Sequence, residues 1–391
     1  MIARIVILLV LVLLLPQLYF DRRKLRRRKT WQRVVRWLPT IAMMLLTVLL
    51  AMSRDFVPHE MTVMNIYLML LGLVFAPKAL YVLCSQVGRI VRKIRHSRYN
   101  WGNLVGFFLA FFLIFVVLYG SFVGVRRLNV NRMEISLKNL PEAFDGYKIV
   151  VFSDAHVGSF TGWRKSLLQR DIDSINAQQP DAIFFVGDLQ NQRPSELYPV
   201  QEILRSLKAK DGIFSVLGNH DYSDYIDDDP AIKIANEREM ISRQRQFGWK
   251  LLLNEHSVIE KQGAKLVVAG VENDQSRKEN RKRNDLEKAL EGVRDDDCII
   301  LLQHEPGVWE QTGWIRPEVQ LTLSGHTHGG QVSLFGLRAT QLVKKEDYGL
   351  YREGDRQLYV TCGIGGLVPF RFGVSPEIAV ITLKVKRNSL E

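Results

Sequence analysis

The sequence predicts two unlike parts in one chain: an N-terminal bundle of about four transmembrane helices, then a single α/β domain. Three observations carry this. Four apolar stretches fall within the first 125 residues. From Tyr147 onward, short apolar runs alternate with polar, helix-like segments. The charge also divides between the parts. The 391 residues hold 53 Lys and Arg against 41 Asp and Glu, a net +12. Residues 1–132 hold 20 basic against 3 acidic residues, and residues 133–391 hold 33 against 38. The first third is therefore +17 and the remainder −5. A basic protein of this size suggests nucleic acid or an anionic surface as partner. A mildly acidic second part removes the first of these, because nucleic-acid binding needs a cationic footprint. At 47% hydrophobic residues the chain is too apolar to be disordered, and its 3 cysteines exclude a disulfide framework.

The predicted spans are residues 2–20, 38–53, 61–84 and 101–124, within a transmembrane region 1–125. A spanning helix needs about 20 mostly apolar residues. Three stretches meet this; the second, about 15–17 apolar residues long, is short unless it borrows flanking residues. The first is followed directly by a dense basic run and has no small-residue cleavage site, so it reads as an anchor. Lys78, after Pro77, is expected to snorkel toward the membrane surface. Orientation follows the Lys and Arg of short loops. Residues 21–37 carry nine and residues 89–98 carry five, whereas residues 53–60 carry only Arg54. The two basic loops are therefore expected in the cytoplasm, where they serve first as topology signals and secondarily can meet anionic lipid headgroups. Everything after the fourth span is then extracytoplasmic. Arg126, Arg127 and Arg132 oppose this weakly. Trp31, Trp37, Tyr99 and Trp101 flank the basic loops as an aromatic belt would.

A linker is expected at 126–145 and the α/β domain at 146–391. Apolar runs at 149–152, 182–186, 213–217, 265–269, 298–302 and 320–323 read as buried strands. Helical segments are expected near 163–178, 196–208 and 229–247, the last capped by Asp229 with Pro230 at the first helical position. Residues 357–361 and 377–385 make a β-rich tail, and the polar run 275–284 reads as a solvated loop. Buried strands separated by helices indicate a sheet covered on both faces.

Polar clusters recur at the strand ends, where α/β sheets place their ligands. Asp154-Ala155-His156 follows the first strand, Gly187-Asp188 the second, and Gly218-Asn219-His220-Asp221 the third. Gln303-His304-Glu305 and Gly325-His326-Thr327-His328 follow two later ones. Carboxylates, an amide oxygen and imidazoles on one rim suit borderline divalent metals such as Mn, Fe or Zn. Two such ions about 3.5–4 Å apart can clamp a phosphoryl group and activate water. His256 lies outside the clusters and reads as a surface residue or an outer support. Cys298 opens an apolar strand, so a buried thiol is expected there rather than a bond to Cys362.

Together these five blocks resemble the signature of the calcineurin-like metallophosphoesterases, over roughly residues 146–386. Gly329-Gly330-Gln331, Gly363-Ile364-Gly365-Gly366, Arg371 and Pro376-Glu377-Ile378 resemble the tail of a bacterial, often membrane-anchored phosphodiesterase branch. The resemblance implies a four-layer α-β-β-α sandwich. It implies that Asp154, His156 and His328 hold a first metal, Asp188 bridges, and Asn219, His304 and His326 complete a second. His220 then serves as general acid or stabilises charge, with Asp221 orienting its ring, and Arg371 is a candidate phosphate clamp or, equally, a fold salt bridge. The expected function is a phosphodiesterase or pyrophosphatase with two divalent ions, Mn foremost. It would sit in the bacterial cytoplasmic membrane and act at the bilayer surface on a lipid-linked or small phosphodiester. The alternatives are a cytoplasm-facing nucleotide-lipid pyrophosphatase of the lipid A precursor type, a nuclease, and a non-enzymatic metal-binding sensor.

Overall fold

The structure is a computed structural model describing residues 2–53, 55–57, 61–274 and 283–387. The chain divides into two units, Met1–Val123 with Tyr225–Asp227, and Gly124–Asp224 with Asp228–Glu391.

In the first unit, four helical stretches among the described residues are long and apolar enough to cross a membrane: Ile2–Arg23, Thr30–Ala51, Met61–Ile94 and Trp101–Arg126. Their regular parts are α1 (Val6–Phe20), α2 (Thr30–Ala51), α3 (Met61–Leu70), α4 (Ala76–Ile94) and α5 (Trp101–Phe122). The short second span is resolved by an early start. Helix α2 begins at Thr30, so its 22 residues reach spanning length by taking in Arg33 and Arg36. Helices α3 and α4 form one stretch interrupted by a π-turn at Leu71–Phe75. Pro77 follows it, and a proline lacks an N–H and crowds the preceding turn, which a wider turn relieves. Asn100 caps α5, its Oδ1 accepting from Gly102 N at 3.1 Å. Helices α4 and α5 touch through small residues, for a Cβ on Gly102 would lie 2.1 Å from the Cys84 carbonyl oxygen. Lys78 has a polar partner on the neighbouring helix. Its ammonium donates to Gln17 Oε1 on α1 and lies 5.5 Å from the Phe20 ring centroid.

The second unit contains β1 (Asn129–Leu137), β2 (Lys148–Phe152), α6 (Lys165–Ala177), β3 (Ala182–Val186), α7 (Gln201–Arg205), β4 (Ile213–Val216), α8 (Pro230–Gln246), β5 (Lys250–Leu251), β6 (Glu255–Lys261) and β7 (Ala264–Gly270). There follow α9 (Leu286–Ala289), β8 (Ile299–Leu302), α10 (Trp309–Ile315), β9 (Leu321–Ser324), β10 (Ser333–Leu334), β11 (Leu337–Arg338), β12 (Gly349–Glu353), β13 (Arg356–Val360) and β14 (Glu377–Val385). One six-stranded sheet runs β1-β14-β2-β3-β4-β5 and the other β12-β13-β9-β8-β7-β6. Strands β2, β3 and β4 are parallel neighbours, as are β7, β8 and β9.

The burial explains the layering. Val151, Phe184 and Phe214 of the first sheet meet Val268, Ile300 and Leu323 of the second in one core. The other face of the first sheet, with Val150, Phe152 and Phe185, packs on Leu168 and Ile172 of α6 and Met240 of α8. The other face of the second, with Val267, Ile299 and Leu301, packs on Leu286 and Ala289 of α9. This is the expected α-β-β-α sandwich, and strands buried on both faces account for their unbroken apolar runs.

Two expectations change. The region expected as linker contains β1, which pairs in parallel with β14 from Asn129↔Glu377 to Leu137↔Val385. Its half-polar composition reflects an edge strand with only Ile135 and Leu137 fully buried. The segment expected as one helix near 196–208 is a 3₁₀ turn, Pro194–Val200, then the short α7, because Pro199 lacks the N–H an α-helix would use. Most of the loop expected at 275–284 lies outside the described residues. Helix α8 begins as expected, with Asp229 Oδ1 accepting from Ala231 N at 2.7 Å. Cys298 and Cys362 are free and buried.

Candidate metal centre

The loops leaving β2, β3, β4, β8 and β9 carry the predicted residues to one place. Five of those residues adopt a left-handed backbone: Asp154 (φ 49°), His156 (45°), Asp188 (61°), His326 (72°) and His328 (53°). A non-glycine residue enters this region at a steric cost, and such conformations persist where the surroundings enforce them, often at functional sites. Here the turn swings each side chain off its strand and back over the sheet end. Gly187 makes the approach possible. At φ 96°, a Cβ on it would lie 2.6 Å from Gly218 N and 2.7 Å from His304 Nδ1.

Three groups of potential ligands result, each with its donor atoms within 4.8 Å of one another: Asp154, His156 and His328; His156, Asp188 and His220; Asp188, His304 and His326. Asp188 belongs to two of them. Its Oδ2 lies 3.2 Å from His304 Nε2 and 3.7 Å from His156 Nε2. His328 Nε2 lies 3.5 Å from Asp154 Oδ1. Asn219 Oδ1 sits 2.8 Å from His326 Nδ1 and 3.1 Å from His304 Nε2. All seven expected metal-binding residues thus converge.

The donor set fits divalent ions. Both ring nitrogens of His156 and Nδ1 of His328 are buried without a hydrogen-bond partner. A buried polar atom left unpaired is costly, and a cation would satisfy those turned toward the carboxylates. His304 is oriented by donation from Nδ1 to the Val186 carbonyl at 2.7 Å, which directs Nε2 at Asp188 and Asn219. Burial opposes a charge on this ring, yet the Asp188 carboxylate outweighs it and pushes its pKa up to about 10. Burial likewise opposes ionisation of Asp188, but His304, His220 and His156 hold it well below the usual carboxylate range. Burial pushes His328 down to about 4 and His156 also down. The pocket around Asp188 therefore favours positive charge, while His156 and His328 favour the neutral rings that ligate metals.

Asp221 departs from expectation. Its carboxylate does not orient the His220 ring. Oδ2 accepts from the backbone N–H groups of Asp188 and Gly218, both at 2.9 Å, and Oδ1 from those of Leu189 at 2.9 Å and Gln190 at 3.2 Å. It thus ties the β3 loop to the β4 loop. Burial and the nearby Asp188 charge push its pKa up to about 7. The His220 ring is oriented by a backbone carbonyl, Nδ1 lying 2.6 Å from Asn191 O.

Arg371 is 2% exposed. Its terminal nitrogens donate to the carbonyls of His328 at 3.0 Å, Cys362 at 2.8 Å, Gly363 at 3.3 Å and Gly365 at 2.5 Å. The fork is spent on loop backbone, where a phosphate clamp would need it open. His256 Nδ1 lies 2.9 Å from Ala289 O, away from the cluster. Sequence reasoning missed Glu305, whose Oε2 lies 2.8 Å from His326 Nε2 and whose Oε1 accepts from Lys344 at 2.5 Å. Burial would raise this carboxyl, but His326 and Lys344 hold it down to about 2. The only signal was its place beside His304.

Residues 147–330 match the family described as Calcineurin-like phosphoesterase, and residues 3–125 the one described as Probable Calcineurin-like phosphoesterase, transmembrane domain. The uncharacterized metallophosphoesterase YkuE of Bacillus subtilis (strain 168) is 31% identical over 273 residues, covering 68% of this chain and 89% of that protein. A transmembrane protein with metallophosphoesterase domain from Danio rerio is 32% identical over 277 residues, 69% of this chain and 60% of that protein. Its counterpart from Bos taurus is 31% identical over 265 residues, 65% of this chain and 57% of that protein. The chain thus spans less than two thirds of the length of these two transmembrane relatives.

Proposed function

The chain belongs to the calcineurin-like phosphoesterases, a family of phosphoric ester hydrolases using two divalent ions, and on that premise we propose that it cleaves a phosphodiester or pyrophosphate, small or lipid-linked, at a membrane surface. The observation that carries this is the sharing of Asp188 between two ligand groups. Asp154, His156 and His328 would hold one ion, Asn219, His304 and His326 the other, and Asp188 would join them. Ions held there supply Lewis acidity toward phosphoryl oxygens and make hydroxide available near neutral pH. The mixed oxygen and nitrogen donors favour Mn, with Fe or Zn as alternatives.

His220 does the protein's proton chemistry. With Nδ1 directed to Asn191 O, its Nε2 is the atom that gives a proton to the leaving oxygen as the P–O bond breaks. Asp221 fixes the two loops that carry Asp188 and Asn219. Arg371 acts as a positioning residue, gathering the loop from Cys362 to Gly365 against His328. Gly363 in that loop sits so close that a Cβ there would lie 2.6 Å from Asp154 Cβ.

The nine and five basic residues of the two short loops support an extracytoplasmic catalytic domain in a bacterial cytoplasmic membrane. Arg126, Arg127 and Arg132 after the last span support the opposite side, where nucleotide-linked lipids become the favoured substrates. The −5 charge of residues 133–391 argues against long nucleic acid on either side. The test is a substrate profile of the Mn-loaded full chain on a bis-aryl phosphodiester, an aryl monophosphate and lipid pyrophosphates. Turnover of the diester or pyrophosphates well above the monoester is expected; turnover confined to the monoester overturns the proposal.

A further inference from the structure

We infer that the membrane unit carries a specific site for one anionic phospholipid, in the groove between α1 and α4. This groove has a volume of about 970 Å³ and is walled by Leu8, Leu11, Leu15, Ala79 and Leu83, with Arg22, Arg23 and Arg89 at one end. From Leu8 to Arg22 is fourteen residues, which at 1.5 Å per residue makes a length of about 21 Å. One leaflet with its headgroup region is half of about 40–45 Å, so the groove matches one lipid from phosphate to chain end.

The cationic end is what makes the site selective. The Arg89 guanidinium lies 5.2 Å from the Tyr19 ring centroid and that of Arg23 lies 6.0 Å from the same centroid. One ring thus gathers two like charges. Tyr19 is itself held by its hydroxyl, 2.9 Å from Ser85 Oγ on α4, so the two helices are pinned where the arginines meet. The adjacent carboxylate of Asp21 also attracts Arg22, but its hydrogen bonds go to Arg33 at 2.9 and 2.5 Å. Among the described residues Arg22, Arg23 and Arg89 form no ion pair, and the Nε of Arg89 is buried without a hydrogen-bond partner. A lipid phosphate would accept from these donors and offset their repulsion, while its acyl chain filled the apolar wall. An uncharged wall with no cationic end would take any lipid; this one favours net negative charge. The inference does not depend on the substrate or on which side the catalytic domain lies.

The test uses the delipidated full chain in detergent, titrated with phosphatidylglycerol or phosphatidylcholine and read by native mass spectrometry. One phosphatidylglycerol per chain is expected, bound in preference to phosphatidylcholine. At about the strength usual for a basic residue at a lipid surface, three arginines amount to a preference of roughly a hundredfold. R22Q/R23Q/R89Q should abolish the preference. R26Q/R27Q/R28Q, which removes equal charge from exposed positions of the same loop outside the groove, should retain it. L15W, with every charge intact, should weaken phosphatidylglycerol binding by filling the wall, and it keeps the test open if the triple variant fails to fold. Equal binding of both lipids, retention by the groove variant, or equal loss in the loop variant overturns the inference.

Discussion

Replacing Asp221 by Asn separates two accounts of this residue. In the structure its two carboxylate oxygens each accept two backbone N–H groups, at 2.9–3.2 Å. An Asn side chain keeps one acceptor oxygen and turns an NH₂ toward the other pair. Two buried N–H groups lose their acceptor, each at a cost of about 1–3 kcal/mol. Because burial already pushes the carboxyl up to about 7, part of its desolvation cost is relieved, so the lower half of the range applies. A net loss of about 3 kcal/mol lowers Tm by roughly 6–10 °C in a unit of this size. The pair Asp188 N and Gly218 N borders the ligands, so bound metal should fall with stability. The assay is thermal unfolding of the full chain in detergent, with a pH–rate profile of the surviving fraction. Lowered Tm and weakened metal retention, with the pH limbs of kcat unmoved, is expected. An unchanged Tm with a displaced limb would refute the reasoning and return Asp221 to the proton chemistry of His220.

Other substitutions probe neighbouring links. His220→Ala should keep metal content and Tm near those of the parent while lowering kcat on a phosphodiester by about 10²–10⁴-fold, checked by metal analysis and steady-state kinetics. Gly187→Ala places a methyl 2.6 Å from Gly218 N at φ 96° and should cost about 3 kcal/mol and most of the bound metal, read as a Tm fall with metal loss. Asp171 is 1% exposed, and burial, only partly countered by Arg170, pushes it up to about 6 from 3.8. A folded pKa above the unfolded one gives stability present below pH 3.8 and lost as pH rises through 6, a change of about 3 kcal/mol. Asp171→Asn should therefore flatten the fall in Tm between pH 4 and 7 relative to the parent. Enzyme-reporter fusions after residue 387 should report an extracytoplasmic end, and a cytoplasmic one would move nucleotide-linked lipids to the front.

Much of the site was legible because each element sits directly after an apolar run. Asp154, Asp188, Asn219, His304 and His326 follow buried strands, and strand ends are where a sheet offers its backbone and side chains to a ligand. The sandwich followed from the same runs, since a strand buried on both faces cannot alternate. What stayed hidden depends on directions that spacing does not encode. The role of Asp221 rests on where four backbone N–H groups point. Glu305 reaches His326 only because β8 and β9 are neighbours. Arg371 carries its charge inward to four carbonyls, although charge and position alone suited a phosphate clamp or a salt bridge equally. Strand β1 was hidden for another reason: an edge strand tolerates Asn, Arg and Glu, so its period shows only at Ile135 and Leu137.

The central claim is that the residues around Asp188 hold two ions in one coupled centre. Its most direct test is electron paramagnetic resonance of the Mn-reconstituted full chain, with metal stoichiometry measured on the same sample and on Asp188→Ala. The account predicts two Mn per chain with an exchange-coupled dimanganese spectrum, and loss of the coupled signal in Asp188→Ala. One Mn per chain with an isolated-ion spectrum, or a coupled signal that survives the loss of Asp188, would contradict it.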